Sequence, residues 1–461
     1  MTQNRCTTAP FTRLARTLLI AVAAVAAVVA PAPAASATPN GSDPFYRPSA
    51  GYGATAPGTI LRIRSIDPSY FQAIPMQVDG WQLLYRTTRA DGSPYAAVTT
   101  VLKARQVARP SAVLSFQNMT DAVAPQCMPS QALQQGRTPW IDPARAAPIQ
   151  LATMANETPL VAAALSRGWA VSVPDFGGVD NHFLTPREPG LVALDGIRAA
   201  ERFGPAGLSD VRTPALLWGY SGGGIASGWA AQEQPSYAPE LHLAGAALGA
   251  PVGNFRAGIR SANGQPIGGA LIPVALMGMV QNSPTFAAAL DRYLTPAGQQ
   301  RINDAMASCT PQNLLSNLGF DATRYMTAPL DKVLDDPVIS AAIDAAQLGR
   351  ATPTAPLYVY NAIGDEISTI GGADRLVSAY CRGGTAVTYR REEIPTPISG
   401  HTIEWLAGAP GALSWLEQRA QGNLPTGCDI QSVPATILAP DALDALGSGI
   451  IAGSVRELLG F

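Results

Sequence analysis

Largely apolar runs at 111–116, 170–173, 215–218, 244–248 and 357–361 have the length of strands buried on both faces of a sheet. Segments 159–167, 191–203 and 222–232 fall between them and are helix candidates. Upstream, 81–88 and 96–102 flank Asp91-Gly92, the signal of a β-hairpin. Strand alternating with helix predicts an α/β fold: a mostly parallel sheet with helices on both faces. The alternation lapses between Pro251 and Thr352, where 271–280 and 338–348 look helical, so an inserted helical cap is expected. It resumes through 373–380, 386–393 and 402–420. A last segment, 432–461, carries Ile450, Ile451, Val455, Leu458 and Leu459 at helical spacing.

The start of the chain reads as an address. Arg5, Arg13 and Arg16 precede an apolar stretch at 17–30, shorter than the about 20 residues needed to span a bilayer. Ala35-Ser36-Ala37 supplies an A-x-A cleavage site. We expect a signal peptide over 1–37 and a secreted mature protein with no integral membrane span. The expected organisation is then an arm rich in Pro, Gly, Ser and Ala at 38–58, a core in two parts at 59–251 and 353–427, a cap at 252–352, and a C-terminal segment at 428–461.

Composition narrows the partners. Charged residues make up 14% of the chain, against about 25% in average proteins. The net charge of −2 becomes −5 once the three leader arginines are lost. No basic stripe exists, so nucleic acid is excluded as a partner. With 47% hydrophobic residues, disorder is excluded too. Four cysteines remain after Cys6 leaves: Cys127, Cys309, Cys381 and Cys428. An even count in an exported chain suggests two disulfides, with three connectivities open. We expect Cys127–Cys309 and Cys381–Cys428. The spacing is not C-x-x-C, so no metal site is expected. No dinucleotide or P-loop motif follows a strand, and no cofactor is expected.

The sharpest motif is Gly219-Tyr220-Ser221-Gly222-Gly223, placed between an apolar strand and a helix candidate. A serine on so tight a turn has strained dihedrals and needs neighbours without bulk, which holds its hydroxyl out above the sheet. The Gly222 amide would face a developing oxyanion. The chain has three histidines, His182, His242 and His401. In a chain order of serine, acid, histidine, His401 is the base, because His242 comes too early. Asp365, at the end of the strand candidate 357–361, is the expected acid, with Glu366 its local rival. A second oxyanion donor is expected after another strand, at the backbone of Asp175 or Phe176; a purely bracing Asp175 stays open.

Around these residues the sequence resembles the secretory lipase family typified by Candida antarctica lipase A. The likeness rests on Val173-Pro174-Asp175 with Gly177, Leu194-Asp195-Gly196-Ile197-Arg198-Ala199, the Ser221 motif, Ser236-Tyr237-Ala238-Pro239-Glu240-Leu241, Asp365-Glu366-Ile367 and His401. It spans roughly residues 60–425. The resemblance implies an α/β-hydrolase that cleaves acylglycerol-type esters through an acyl-enzyme, with Ser221, Asp365 and His401 as triad. It further implies oxyanion donors at Asp175 and Gly222, an acyl tunnel in the cap, transient adsorption to lipid surfaces and a C-terminal segment acting as a flap. A short-chain carboxylesterase, an acyltransferase or a peptidase would use the same triad, since acceptor choice lies in pocket shape. A binding protein without catalysis is the rival of another class.

Overall fold

The apolar runs form the middle of one sheet. The computed structural model describes residues 43–135, 140–141, 149–208 and 212–460, so the expected signal peptide lies outside the described residues. Ten strands pair continuously: β1 (Ile60–Ile66), β2 (Val78–Thr88), β3 (Pro94–Ala104), β4 (Val113–Gln117), β5 (Ala170–Pro174), β6 (Ala215–Tyr220), β7 (Leu243–Gly249), β8 (Leu357–Ala362), β9 (Val387–Glu392) and β10 (Cys428–Val433). Their spatial order is β1-β2-β3-β5-β4-β6-β7-β8-β9-β10. From β5 to β10 every pair is parallel, and β1, β2 and β3 add an antiparallel edge. This is the α/β architecture the alternation predicts.

Helices cover both faces, as buried parallel strands require. On one face lie α1 (Met154–Ser166) and α12 (Gly400–Ala420), packed on Leu216, Trp218, Tyr358 and Tyr360. On the other lie α2 (Glu188–Arg202), α3 (Gly222–Tyr237) and α11 (Ile370–Arg382), packed on Leu217, Leu248 and Val359. Between β7 and β8 come α4 (Phe255–Ala262), α5 (Leu271–Asn282), α6 (Pro284–Asp291), α7 (Pro296–Met306), α8 (Thr310–Ser316), α9 (Leu330–Leu334) and α10 (Pro337–Ala345). Three of these starts share one local grammar. Ser283, Thr295 and Asp336 each accept a backbone N–H of the first turn, and proline follows at the first helical position.

Two fastenings hold the periphery. Cys127–Cys309 ties the loop after β4 to the start of α8, and Cys381–Cys428 ties α11 to β10. One expectation is corrected. Residues 43–58 are no free arm, because Phe45 and Tyr46 are buried and Arg64 pairs with Asp43 at 2.7 Å while lying over the Phe45 ring. In the C-terminal segment α13 (Ala452–Leu459) packs on α1, and Gln77 N–H donates to the Glu457 carbonyl at 2.7 Å. Among the described residues no helix is long and apolar enough to cross a membrane.

Candidate active site

The carboxyl ends of the parallel strands gather the chemistry on one edge. Ser221 leaves β6 and caps α3 with φ 53° and ψ −118°, a strained conformation for a non-glycine residue. Its neighbours show why the turn needs glycine. A Cβ on Gly219 would lie 2.2 Å from the Gly223 carbonyl, and one on Gly223 1.9 Å from the Gln117 carbonyl. The Ser221 N–H is bonded to the Gly249 carbonyl at 2.9 Å, which fixes the turn against β7. Its Oγ stands 2.8 Å from His401 Nε2, and His401 Nδ1 stands 2.8 Å from Asp365 Oδ2. The three side chains named from the sequence are therefore in one hydrogen-bonded row, and all are buried.

Each partner of Ser221 is held by backbone. Asp365 Oδ1 accepts the N–H groups of Ile367 (2.8 Å) and Ser368 (2.7 Å), leaving Oδ2 for the histidine. His401 lies in the first turn of α12, and the Tyr220 hydroxyl donates to its carbonyl at 2.5 Å. Glu366, the rival acid, makes no contact with the imidazole. It accepts from Ser399 Oγ (2.5 Å), Gly400 N (3.0 Å) and His401 N (3.4 Å), so it binds the amides that open α12. Burial lowers the His401 pKa, but the charge and hydrogen bond of Asp365, with Glu366 and Asp121, outweigh it and hold the imidazole above its ordinary value. His182 is bound to Glu188 at 2.6 Å instead.

Asp175 is not where the oxyanion reading needs it. Its N–H donates to the Val98 carbonyl at 2.9 Å, and its carboxylate accepts from Ser130 N (2.9 Å) and Ser130 Oγ (2.5 Å). The reason is topological: β5 is separated from β6 by β4, so its end opens beside β3. The place beside Ser221 falls to Asp121, at the end of the loop after β4, which sequence reasoning missed. A Cβ on Gly222 would fall 1.8 Å from Asp121 Oδ1, so the carboxyl occupies the space a side chain would need at the first residue of α3. Oδ1 has no hydrogen-bond partner, and burial pushes this carboxyl up to about 7 against the opposing pull of His401. The same loop is pinned by Glu157, which accepts the Met119 N–H at 2.9 Å and an amide N–H of Asn118. Thr310, next to Cys309, donates to the Thr120 and Asp121 carbonyls at 2.6 and 2.7 Å.

Ser221, Gly222 and Asp121 form the floor of a cleft of about 550 Å³. Its walls are otherwise apolar, among them Phe183, Ile225, Phe255, Ile259, Ile272 and Ala275. Phe255, Ile259, Ile272 and Ala275 also line a second cavity of about 460 Å³ among the helices between β7 and β8. Leu276, Met279, Leu290 and Met326 extend that second space. The two apolar spaces thus share one wall, formed by Phe255, Ile259, Ile272 and Ala275.

A parallel sheet of this order, with a serine at a strand-to-helix turn above its carboxyl edge, defines an α/β-hydrolase fold. Residues 144–427 match the secretory lipase family model. The chain belongs to the secretory lipase family. It is 34% identical to Lipase A of Arthroderma benhamiae, across 92% of this chain and 88% of that protein. It is 37% identical to a probable inactive lipase of Mycobacterium tuberculosis, across 86% of each. Among solved structures, Candida antarctica lipase A in its closed state superposes with a TM-score of 0.76 at 26% identity, covering 91% of this chain and 95% of that one. The block from Leu194 to Leu241 is a brace: Arg198 binds Asp195 at 2.8 Å, Glu240 at 2.6 Å and the Tyr237 carbonyl at 2.8 Å, locking α2 to α3.

Proposed function

We propose that this chain is a secreted carboxylic ester hydrolase acting on acylglycerol-type esters, exported by the signal peptide at 1–37. The observation that carries the reading is the unbroken row Asp365–His401–Ser221 facing an apolar cleft. Ser221 Oγ attacks the ester carbonyl carbon as His401 Nε2 takes its proton. Asp365 holds the imidazole in the tautomer that can accept and stabilises the imidazolium. The Gly222 amide, an α3 amide with no intrahelical carbonyl to bind, and the protonated Asp121 carboxyl donate to the oxyanion. His401 then protonates the departing alcohol, and the acyl group stays on Ser221. Water, deprotonated by His401, opens this acyl-enzyme and regenerates the serine. The acyl chain lies along Phe255, Ile259, Ile272 and Ala275 toward the second cavity, which makes the helices α4 to α10 the acyl-binding cap.

The test is hydrolysis of p-nitrophenyl esters from acetate to palmitate by the mature protein, with Ser221→Ala as control. Activity that rises with chain length and vanishes in the variant supports a lipase. Activity confined to short chains means a carboxylesterase. The name of the Mycobacterium tuberculosis relative, a probable inactive lipase, favours a second reading, a chain of this fold without turnover. That reading wins if no ester is cleaved and the long-chain esters still bind.

A further inference from the structure

A third cavity of about 790 Å³ opens at the opposite edge of the sheet, at the starts of β6, β7 and β8. Pro214, Leu241, Leu243 and Leu424 give it apolar walls, and Arg419 near the end of α12 supplies its charge. Arg419 is only 4% exposed, and its guanidinium lies over the Trp415 ring at 4.7 Å. Its stem crosses β7 where only glycine fits, since a Cβ on Gly245 would be 2.8 Å from Arg419 Cγ.

What this cation lacks is a counter-charge. Among the described residues it has no ion pair; Nε has no partner, and Nη2 has only a 3.4 Å contact with Gln418. Burial alone lowers its pKa. A buried arginine is ordinarily paired, because an uncompensated charge there is costly. An arginine that merely complemented the end of α12 would reach solvent and keep its donors hydrated.

We infer that this cavity is a binding site for an amphiphilic monocarboxylate. One guanidinium fork matches one carboxylate, and the leucine and proline walls match a short alkyl tail. A phosphate dianion fits worse, because the neighbouring helix end is a carboxyl terminus whose dipole repels surplus negative charge. The inference stands whether or not Ser221 is a nucleophile.

The experiment titrates octanoate, octanamide and inorganic phosphate into the full protein by calorimetry, after the apolar cleft beside Ser221 has been filled by a long-chain alkyl phosphonate on the serine or, in Ser221→Ala, blocked by Ala275→Trp. Octanoate is expected to bind one site, with octanamide at least about tenfold weaker for want of the charge-assisted pair. Arg419→Gln is expected to weaken octanoate by about 10- to 100-fold. The amide comparison needs no variant, so it decides even if Arg419→Gln fails to fold. Equal binding of acid and amide, stronger binding of phosphate, or octanoate binding unchanged in a folded Arg419→Gln would each overturn the site.

Discussion

Two loops bring an aspartate to the edge of the sheet that holds Ser221, and they treat the same side chain in opposite ways. The loop after β8 aims two backbone N–H groups and an imidazole at Asp365. The loop after β4 buries Asp121 and leaves Oδ1 without a donor, so its carboxyl rises to about 7. One aspartate is surrounded by donors, and the other is buried with an oxygen that no donor meets. The difference lies in the backbone around them and not in the residue.

Removing the accepting side should cost most. His401→Ala is expected to lower kcat about a million-fold, and Asp365→Asn about ten-thousand-fold, in steady-state assays of a folded protein. If Asp365→Asn kept near-normal turnover, the pairing of roles above would be broken. The donating side should cost less. Asp121→Leu is expected to lose about 100-fold in kcat, the magnitude of one oxyanion donor. Asp121→Asn keeps a donor and should lose less.

The pH profile distinguishes the two aspartates further. His401 must be neutral to accept a proton, so the rate rises with pH through its elevated pKa. Asp121 must be protonated to donate, so the rate falls as pH rises through about 7. The wild type should show a bell, and Asp121→Asn should lose the alkaline limb. An alkaline limb unchanged in Asp121→Asn would remove Asp121 from the oxyanion site.

A smaller and more selective effect is expected in the apolar cleft. Ala275 lines both apolar spaces, so Ala275→Trp should cut kcat/KM for palmitate at least about tenfold while sparing acetate. Equal losses for both esters would place the acyl chain elsewhere.

Much of this site was legible in the sequence, for local reasons. The buried strands announce themselves as apolar runs, the serine turn demands glycines, and chain order separates His401 from His242. Asp121 was not legible because nothing near it in sequence is a motif. It reaches Ser221 only because β4 pairs with β6, which is a fact about topology. Asp175 also follows a buried strand, yet β5 pairs on its far side with β3 and opens away from the serine. The burial of Phe45 and Tyr46 was hidden likewise, since it depends on Arg64 and on Ser130, whose Oγ meets the Tyr46 hydroxyl at 2.8 Å. Legibility ends where a role depends on which strands become neighbours.

The smallest expected effect belongs to Glu366, and it is the sharpest check on the acid. Both oxygens face the first turn of α12, and none faces the imidazole. Glu366→Gln keeps an acceptor for those N–H groups and removes a negative charge, so kcat should fall by no more than about tenfold. That charge also helps to raise the His401 pKa, so its loss should move the acid limb of the rate profile to lower pH. A loss as deep as that of Asp365→Asn would mean that Glu366 is the acid. A modest loss with the acid limb shifted downward would leave Asp365 in that role, and Glu366 as the residue that positions the helix carrying the base.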